Sequence, residues 1–242
     1  MTKKIIRKIV LVSDLTEANK RQMFELFEMY YEHVDFKRFL SDLSEKTHVF
    51  FFHEMGTNRL VGFSTIFRKA IPEIAPGIFL FSGDTVIHAD YQGSKALQKS
   101  FFWFILESKL SSPTQPVYWM LMSKGVKTYL MMRKNFKSSY PNYHGPTPSP
   151  HDHVLNSFYT RKFAKSFDEK TGLIIFDEKL GSVKSDSHFK QEKVPTDSEA
   201  KFFFEKNPQF DEGHELACVC EIKFSDFTFH IKKFFIPKLP KK

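Results

Sequence analysis

VIHADYQGSKALQKSFFWFIL, residues 86–106, joins a strand to a helix through a short polar turn. The stretch begins with β-branched Val86 and Ile87, and Gly93 interrupts the polar residues that follow. Apolar side chains then recur at helical spacing, at Leu97, Phe101, Phe104 and Ile105. The first turn of a helix presents backbone N–H groups without intrahelical partners and the positive end of the helix dipole. The turn is therefore suited to hold an anionic group at the start of a helix.

Upstream of this turn, the sequence predicts a strand, two helices and a meander of three strands. Residues 4–13 alternate as a strand, and Asp14 or Thr16 can cap a helix that extends to Val34. Asp35 can start a second, short helix. Two β-rich runs follow, separated by the turn residues Gly56, Thr57 and Asn58, and a third strand has a predicted bulge at Ser82 and Gly83.

Downstream of the turn, a strand and a helix complete this part of the pattern. VYWMLMS, residues 117–123, is typical of a buried strand, and residues 125–140 place Tyr129, Met132, Phe136 and Tyr140 on one helical stripe. A helical crossover between two strands implies a parallel pairing. The sequence therefore predicts an α/β fold with a mixed, mostly antiparallel central sheet flanked by helices, and with a C-terminal α+β extension.

The C-terminal part begins after a proline-rich segment. Residues 141–153 contain four prolines and predict a connection between a core at 1–140 and an extension at 154–242 that packs on the core. The extension has these predicted elements: a helix at 154–167, a strand at 171–176, a polar surface segment at 181–200, a short helix at 200–207, and strands at 215–224 and 227–235.

Composition limits the classes of partner and location. Hydrophobic residues make up 41% and charged residues 26% of the 242 residues, as in soluble globular proteins. No apolar run approaches the roughly 18 residues of a membrane span, and the N-terminus lacks the pattern of a signal peptide, so we expect a cytoplasmic protein. The net charge of +8 favours an anionic partner: a phosphorylated cofactor, a nucleic acid or an acidic carrier protein.

Two short motifs bear on redox and metal chemistry. Cys218 and Cys220 form a C-x-C motif that strand alternation places on one face, and we expect reduced core thiols. His151 and His153 form an H-x-H motif in the proline-rich segment, where no nearby cluster completes a ligand set. We expect no metal site.

The turn and the order of elements together resemble the GNAT acyltransferase superfamily. VIHADYQGSKAL resembles the strand of that family that is followed by an Arg/Gln-x-x-Gly-x-Gly/Ala loop, with Gln92 and Gly93 as the matching residues. The EMGTNRLVGFSTI hairpin at 54–66 is also similar. The resemblance covers residues 5–140, and it implies an acyl-CoA N-acyltransferase-like fold.

The resemblance implies a grip for an acyl-CoA or acetyl-CoA donor. It assigns the pantetheine arm to the strand backbone at Val86, Ile87 and His88, beside two parallel strands that splay apart. It assigns the pyrophosphate to the turn and helix start, formed by Gln92, Gly93, Ser94, Lys95 and Ala96. Two loop positions differ from the family pattern, because Lys95 and Leu97 stand where glycine or alanine is usual.

Acyl transfer to an amine needs a base for the nucleophile, donors for the oxyanion and an acid for the thiolate. The resemblance indicates Asp84 as the base, with the capping of the bulge as its alternative role, and His88 as a second candidate, with a strand-end contact as its alternative. In many members of the family a tyrosine is the general acid, and by this comparison Met131 stands at its position here. Tyr129 can substitute for it, although its helical neighbours favour core packing.

These observations predict an acyltransferase that moves an acyl group from acyl-CoA, or from acyl carrier protein, to a small-molecule or peptide amine acceptor. A non-catalytic binding protein with the same fold is the alternative. A nucleic-acid-binding protein is a third reading, because basic charge and aromatic residues are interleaved, but no known nucleic-acid-binding motif supports it.

Overall fold

The computed structural model describes residues 4–176, 182–183 and 197–227, and for 182–183 it describes the backbone alone. The strands are β1 (Ile5–Leu11), β2 (Tyr31–Glu32), β3 (His48–Glu54), β4 (Leu60–Ile71), β5 (Ala75–Ile87), β6 (Val117–Ser123), β7 (Ser139–Tyr140), β8 (Phe167–Asp168), β9 (Leu173–Ile174), β10 (Ser182–Val183) and β11 (Glu215–Glu221). The α-helices are α1 (Glu17–Glu28), α2 (Phe36–Ser44), α3 (Ala96–Ser111), α4 (Val126–Asn135), α5 (Ser149–Phe163) and α6 (Ser198–Lys206).

Local signals explain where the early elements begin. A capping box formed by Thr16 and Asn19 starts α1, and the Asp35 carboxylate accepts a hydrogen bond from the backbone N–H of Arg38 at the start of α2. The turn between β3 and β4 contains Gly56 and Asn58 with positive φ values of 98° and 56°. Both caps and the hairpin confirm the sequence predictions.

Two helices end earlier than predicted. Helix α4 ends at Asn135, so Tyr140 lies in β7 and not on the predicted helical stripe. Helix α1 ends at Glu28 instead of extending to Val34, and Tyr31 enters the short strand β2, which pairs with β10. Apolar residues continue at helical spacing through this region, but pairing with a distant segment determines the backbone conformation. Such tertiary pairing overrides a local pattern, and a periodicity argument cannot detect it.

Over the described ranges, the main sheet has nine strands, in the order β1-β3-β4-β5-β6-β11-β9-β8, with β7 also paired to β11. Among the described strand pairs, β5 and β6 alone are parallel, and α3 lies between them in the chain. The mixed, mostly antiparallel sheet flanked by helices is thereby confirmed. Within the described residues, every helix is too short or too polar to span a bilayer.

Helices cover both faces of the sheet, because successive strand residues point to opposite sides. Phe50 and Phe52 of β3 pack in a core with α3, α4 and α6. Val49 and Phe51 of the same strand pack in a core with α1 and α2, and a third core places α5 over the same face of β5 and β6. We call the first face the α3 face and the second the α1 face.

The C-terminal part adds strands to the same sheet. Strand β11 pairs antiparallel with β6, and Cys218 and Cys220 on it are buried free thiols. Helix α5 begins at Ser149, inside the predicted proline-rich connection. Pro150 is compatible with this start, because it lies in the first turn, where a missing N–H costs no hydrogen bond. The division into core, connection and extension stays a prediction. The polar segment predicted at 181–200 and the strand predicted at 227–235 lie largely outside the described residues.

Candidate active site at the opening between two parallel strands

The parallel strands β5 and β6 separate partway along their length. They pair from Ile78↔Val117 to Phe81↔Met120. Beyond that point, β5 pairs with β4 alone, and the end of β6 pairs with β11. At the start of the opening, Trp119 Nε1 donates a 2.6 Å hydrogen bond to Ser82 Oγ. The separation leaves a gap in the middle of the sheet.

A cavity of about 890 Å³ occupies this gap and has walls on both faces of the sheet. On the α3 face it contacts helices α3 and α4, at Lys95, Leu97, Gln98, Phe101, Phe102, Ile105, Thr128, Met131 and Asn135. On the α1 face it contacts Phe27, Tyr31, Phe39, Lys46, Phe163 and Glu215. A single cavity therefore connects the two sides of the sheet through the opening.

Asp84 lies in the cavity wall at a bulge of β5. The register between β4 and β5 shifts from Ser64↔Thr85 to Ile66↔Ser82, so Gly83 and Asp84 stand opposite one residue, Thr65. This confirms the bulge predicted from the glycine. Burial raises the pKa of the Asp84 carboxyl, and the charge of Lys46 opposes that shift.

Glu215 is a second carboxylate in the same cavity, and sequence reasoning missed it. It is the first residue of β11, beside the end of β6. Burial raises its pKa to about 7, and Asp84 adds to the shift while Lys124 opposes it. Among the described residues, no group donates a hydrogen bond to the Glu215 carboxylate. The carboxylate is therefore available to a molecule in the cavity. Only the pairing of β11 with β6 brings it near Asp84, and no local motif signals that pairing.

Tyr31 and Lys46 complete the polar part of the α1 face. Burial and the charges of Asp84 and Glu215 raise the pKa of the Tyr31 hydroxyl. Burial lowers the pKa of the Lys46 ammonium, and Asp84 opposes that shift. The cavity thus holds a second acid, an amine and a phenol, each within electrostatic range of Asp84, beside aromatic walls.

The turn predicted to grip the donor leads into the cavity. Gly93 has a φ of +82°, and Gln92 Nε2 donates to the Ile87 carbonyl at 3.4 Å. Helix α3 starts at Ala96 without a side-chain cap from Lys95. Lys95 lines the cavity, as do Leu97 and Gln98 in the first turn of α3. Of the side chains predicted to bind the donor, Lys95 is therefore the one that lines the cavity among the described residues.

The other predicted donor-binding side chains lie around this wall. Val86 is buried in the core under α1 and α2, and Ala96 packs against the core of the α3 face. His88 begins a short turn: its backbone N–H donates to the Val61 carbonyl at 2.8 Å, and its Nδ1 accepts from the Asp90 N–H at 3.3 Å. Among the described residues, neither Val86 nor His88 lines the cavity. Their backbone roles stay predictions.

Tyr129 lies away from the cavity, in the packing of α4 against α6. Its hydroxyl oxygen is 2.7 Å from Glu199 Oε2 and 3.0 Å from the Pro141 carbonyl oxygen. Burial, followed by Glu199, raises the pKa of this phenol. Met131, which the resemblance places at the position of the general-acid tyrosine, does line the cavity. Of these predicted residues, Asp84 and Lys95 therefore line the cavity, whereas Tyr129 and His88 do not.

The H-x-H motif lies on α5. His151 Nε2 is 3.0 Å from Glu221 Oε2, and its ring packs beside Tyr140. In the part of the chain that the structure describes, no group of three or more His, Cys, Asp or Glu side chains could hold a metal ion.

No protein-family model matches the chain, and no curated protein matches it. Among solved structures, it is similar to a probable N-acyltransferase of unknown function from Enterococcus faecalis, with 14% identity over 55% of this chain and 32% of that one and a TM-score of 0.39. The chain thus spans about a third of that protein's length.

Two further solved structures are similar over a larger share of their own length. An acyl-CoA N-acyltransferase from Pseudomonas aeruginosa shows 15% identity over 58% of this chain and 94% of that one, with a TM-score of 0.41. A GNAT family N-acetyltransferase (YhbS) from Escherichia coli, in complex with CoA, shows 10% identity over 56% and 70%, with a TM-score of 0.40.

With TM-scores below 0.5, these similarities add nothing to the geometry described above. The fold is instead identified by its own topology: four antiparallel strands, a helical crossover, and a parallel pair that opens toward the start of α3. The chain therefore has an acyl-CoA N-acyltransferase-like fold.

Proposed function

We propose that the protein transfers an acyl group from acyl-CoA to an amine. One observation carries the proposal: a continuous cavity runs from the start of α3, through the opening between β5 and β6, to two carboxylates on the other face. A thioester donor has an anionic end, a long neutral arm and a reactive carbonyl, in that order. The cavity offers matching surroundings in the same order.

The donor would bind from the α3 face. Its pyrophosphate would meet the backbone N–H groups at the start of α3, beside the ammonium of Lys95, which is exposed and lines the cavity. The pantetheine arm would run between the separated strands, along the edge of β5 from Ser82 to Ile87. This placement directs the thioester toward Asp84.

The acceptor amine would enter from the α1 face. Asp84 or Glu215, in its ionised form, would take one proton from the ammonium, and the amine would then attack the thioester carbonyl carbon. The C–S bond breaks, and the thiolate takes the second proton from the nitrogen. A carboxyl group whose pKa lies near 7 is well matched to this proton transfer at neutral pH, and Glu215 has such a value.

A non-catalytic binding protein with this fold is the second candidate. Met131 favours it, because a thioether in the cavity cannot donate a proton at the position where the family has a tyrosine. The acyltransferase must consume acyl-CoA, whereas a non-catalytic binding protein does not, so turnover distinguishes the two candidates. Release of free CoA from acetyl-CoA in the presence of a panel of primary amines would support the acyltransferase, and binding without any release would support the binding protein.

Thermal unfolding with CoA, acetyl-CoA and a long-chain acyl-CoA tests donor binding itself. A ligand at 100 times its dissociation constant stabilises a protein by about 2.7 kcal/mol, so we expect a rise of several degrees in melting temperature. The preferred chain length then reports on the aromatic walls of the cavity. No rise with any of the three ligands would contradict the proposed function.

A further inference from the structure

Lys46 follows helix α2, and its side chain crosses the bulge of β5. A Cβ atom added to Gly83 would lie 2.5 Å from Lys46 Cε, so the absence of a side chain at Gly83 makes room for the lysine. Gly83 belongs to the part of β5 that no longer pairs with β6. The methylene groups of Lys46 therefore rest against the edge of the opening itself.

The charge of the Lys46 ammonium group is only partly offset by the carboxylates around it. It lies 5.6 Å from the centre of the Phe81 ring, with the carboxylates of Asp84, Glu45 and Asp42 in electrostatic range. Within the described residues, no carboxylate oxygen comes within ion-pairing distance of its Nζ. Lys162, which also lines the cavity, instead forms a hydrogen bond with Glu45 Oε2. Of these two lysines, Lys46 is the one whose amine is uncommitted.

We propose that Lys46 is itself an acyl acceptor, modified by a donor whose thioester passes through the opening between β5 and β6. This inference rests on the proposed function, because it requires acyl-CoA in the cavity. Its distinguishing feature is an amine at the opening, whose methylene groups lie beside Gly83 and whose charge is in electrostatic range of Asp84. Such a fixed arrangement replaces an encounter between two molecules by a step within one complex.

The proposed step is balanced in atoms and charge. The Lys46 ammonium gives one proton to the Asp84 carboxylate, and Nζ forms a bond with the thioester carbonyl carbon. The C–S bond breaks with its electron pair on sulfur, which takes the second proton from nitrogen. The products are an Nε-acyl-lysine amide, the free thiol of CoA and a proton on Asp84, which solvent in the cavity removes.

The lowered pKa of Lys46 agrees with this role, because each unit by which it falls increases the fraction of neutral amine about tenfold. Acylation would remove the positive charge that opposes the raised pKa of Asp84. It would also fill the α1 side of the cavity, where the acceptor enters. Self-acylation would therefore reduce transfer to other amines.

The test compares two acetyl donors on the full-length protein. Acetyl-CoA carries the groups that the opening would bind, whereas acetyl phosphate acetylates lysines without them. Peptide mapping by mass spectrometry would follow Lys46 and a matched control, Lys20, which is half-buried and 2.7 Å from Glu17 Oε1 but lies outside the cavity. Resistance of the adduct to hydroxylamine identifies an amide.

With acetyl-CoA, we expect Lys46 to be acetylated at least about tenfold faster than Lys20. Excess CoA should suppress the reaction at Lys46 alone, and with acetyl phosphate the preference should fall. The Lys46→Arg variant, which keeps the charge, should lose the adduct while Lys20 reacts as before. Equal rates at the two lysines, or a preference for Lys46 that CoA does not suppress, would overturn the inference.

The thermal titration separates failure of this inference from failure of the proposed function. If acetyl-CoA raises the melting temperature and Lys46 shows no preference, self-acylation is wrong and the donor site stands. If acetyl-CoA neither binds nor modifies Lys46 selectively, both proposals are wrong.

Discussion

Asp84 and Glu215 come from distant parts of the chain and share one cavity. Burial is the largest cause of the raised pKa of each carboxyl, and each has a different lysine that opposes the shift, Lys46 for Asp84 and Lys124 for Glu215. Two acids that repel one another and are poorly hydrated destabilise the folded state when both are ionised. Their cost to stability should therefore depend on pH.

Glu215→Gln tests this dependence. Because the pKa of Glu215 rises from 4.5 to about 7 on folding, the folded protein keeps a proton that the unfolded chain releases in between. The contribution of Glu215 to stability is present at low pH and is lost as the pH rises through 7. We expect the variant to gain about 2 kcal/mol relative to the natural protein on going from pH 5 to pH 8.

Melting temperatures of both proteins at pH 5 and pH 8 would measure this gain. Glu205→Gln is the matched control, because it removes the same charge from an exposed position on α6. Its difference in melting temperature from the natural protein should be the same at both pH values. If Glu215→Gln behaved like this control, the burial of Glu215 in the cavity would be refuted.

Two ion pairs join α4 to α6 in different surroundings. Arg133 and Glu199 form a buried pair, with side chains 7% and 13% exposed and a 2.6 Å contact, and the Tyr129 hydroxyl is bonded to the same carboxylate. Lys134 and Asp197 form an exposed pair at 2.7 Å. Because α4 supplies one wall of the cavity, the buried pair fixes part of the site.

Glu199→Ala should cost about 3–5 kcal/mol of unfolding free energy, because it leaves the Arg133 charge and the Tyr129 hydroxyl buried without their partner. Lys134→Ala, which breaks the exposed pair between the same helices, should cost less than about 1 kcal/mol. Urea unfolding of the two variants measures the difference. Comparable costs would show that the two pairs have similar surroundings, contrary to the structure.

The start of α3 should make the donor site sensitive to charge. Lys95→Glu places a carboxylate where the pyrophosphate would bind, and we expect it to weaken acetyl-CoA binding about tenfold or more, as measured by calorimetry. Lys99→Glu makes the same change one turn later, at an exposed residue outside the cavity wall. It should alter affinity much less. Equal losses would indicate a general effect of net charge.

Much of the fold follows from short-range features of the sequence. The caps at Thr16 and Asp35, the turn at Gly56 and Asn58, and the bulge at Gly83 all depend on neighbouring residues, and each was predicted where it occurs. The parallel pairing of β5 with β6 also followed, because a helical crossover leaves few alternatives. Asp84 and Lys95 were candidates because of the resemblance to the GNAT superfamily, and both line the cavity, although their roles stay predictions.

The remaining features depend on contacts between distant segments. Glu215 enters the site because β11 pairs with β6, and Lys46 reaches it because Gly83 leaves room beside the bulge. Strand β2 interrupts the continuation of α1 because it pairs with β10. Hydrophobic periodicity reports which face of an element is buried, but not which element buries it, so these residues carried no recognisable signal.

Hydrogen–deuterium exchange with and without saturating acetyl-CoA tests most directly whether the donor binds across the opened strands. We expect slower exchange in peptides covering 82–99 and 121–131, which contain the separated ends of β5 and β6, the start of α3 and the first part of α4. Strand β1 and residues 149–160 of helix α5, which lie outside the cavity wall, should exchange at unchanged rates. Protection confined to other parts of the chain, or no protection at a concentration that saturates binding, would contradict the account.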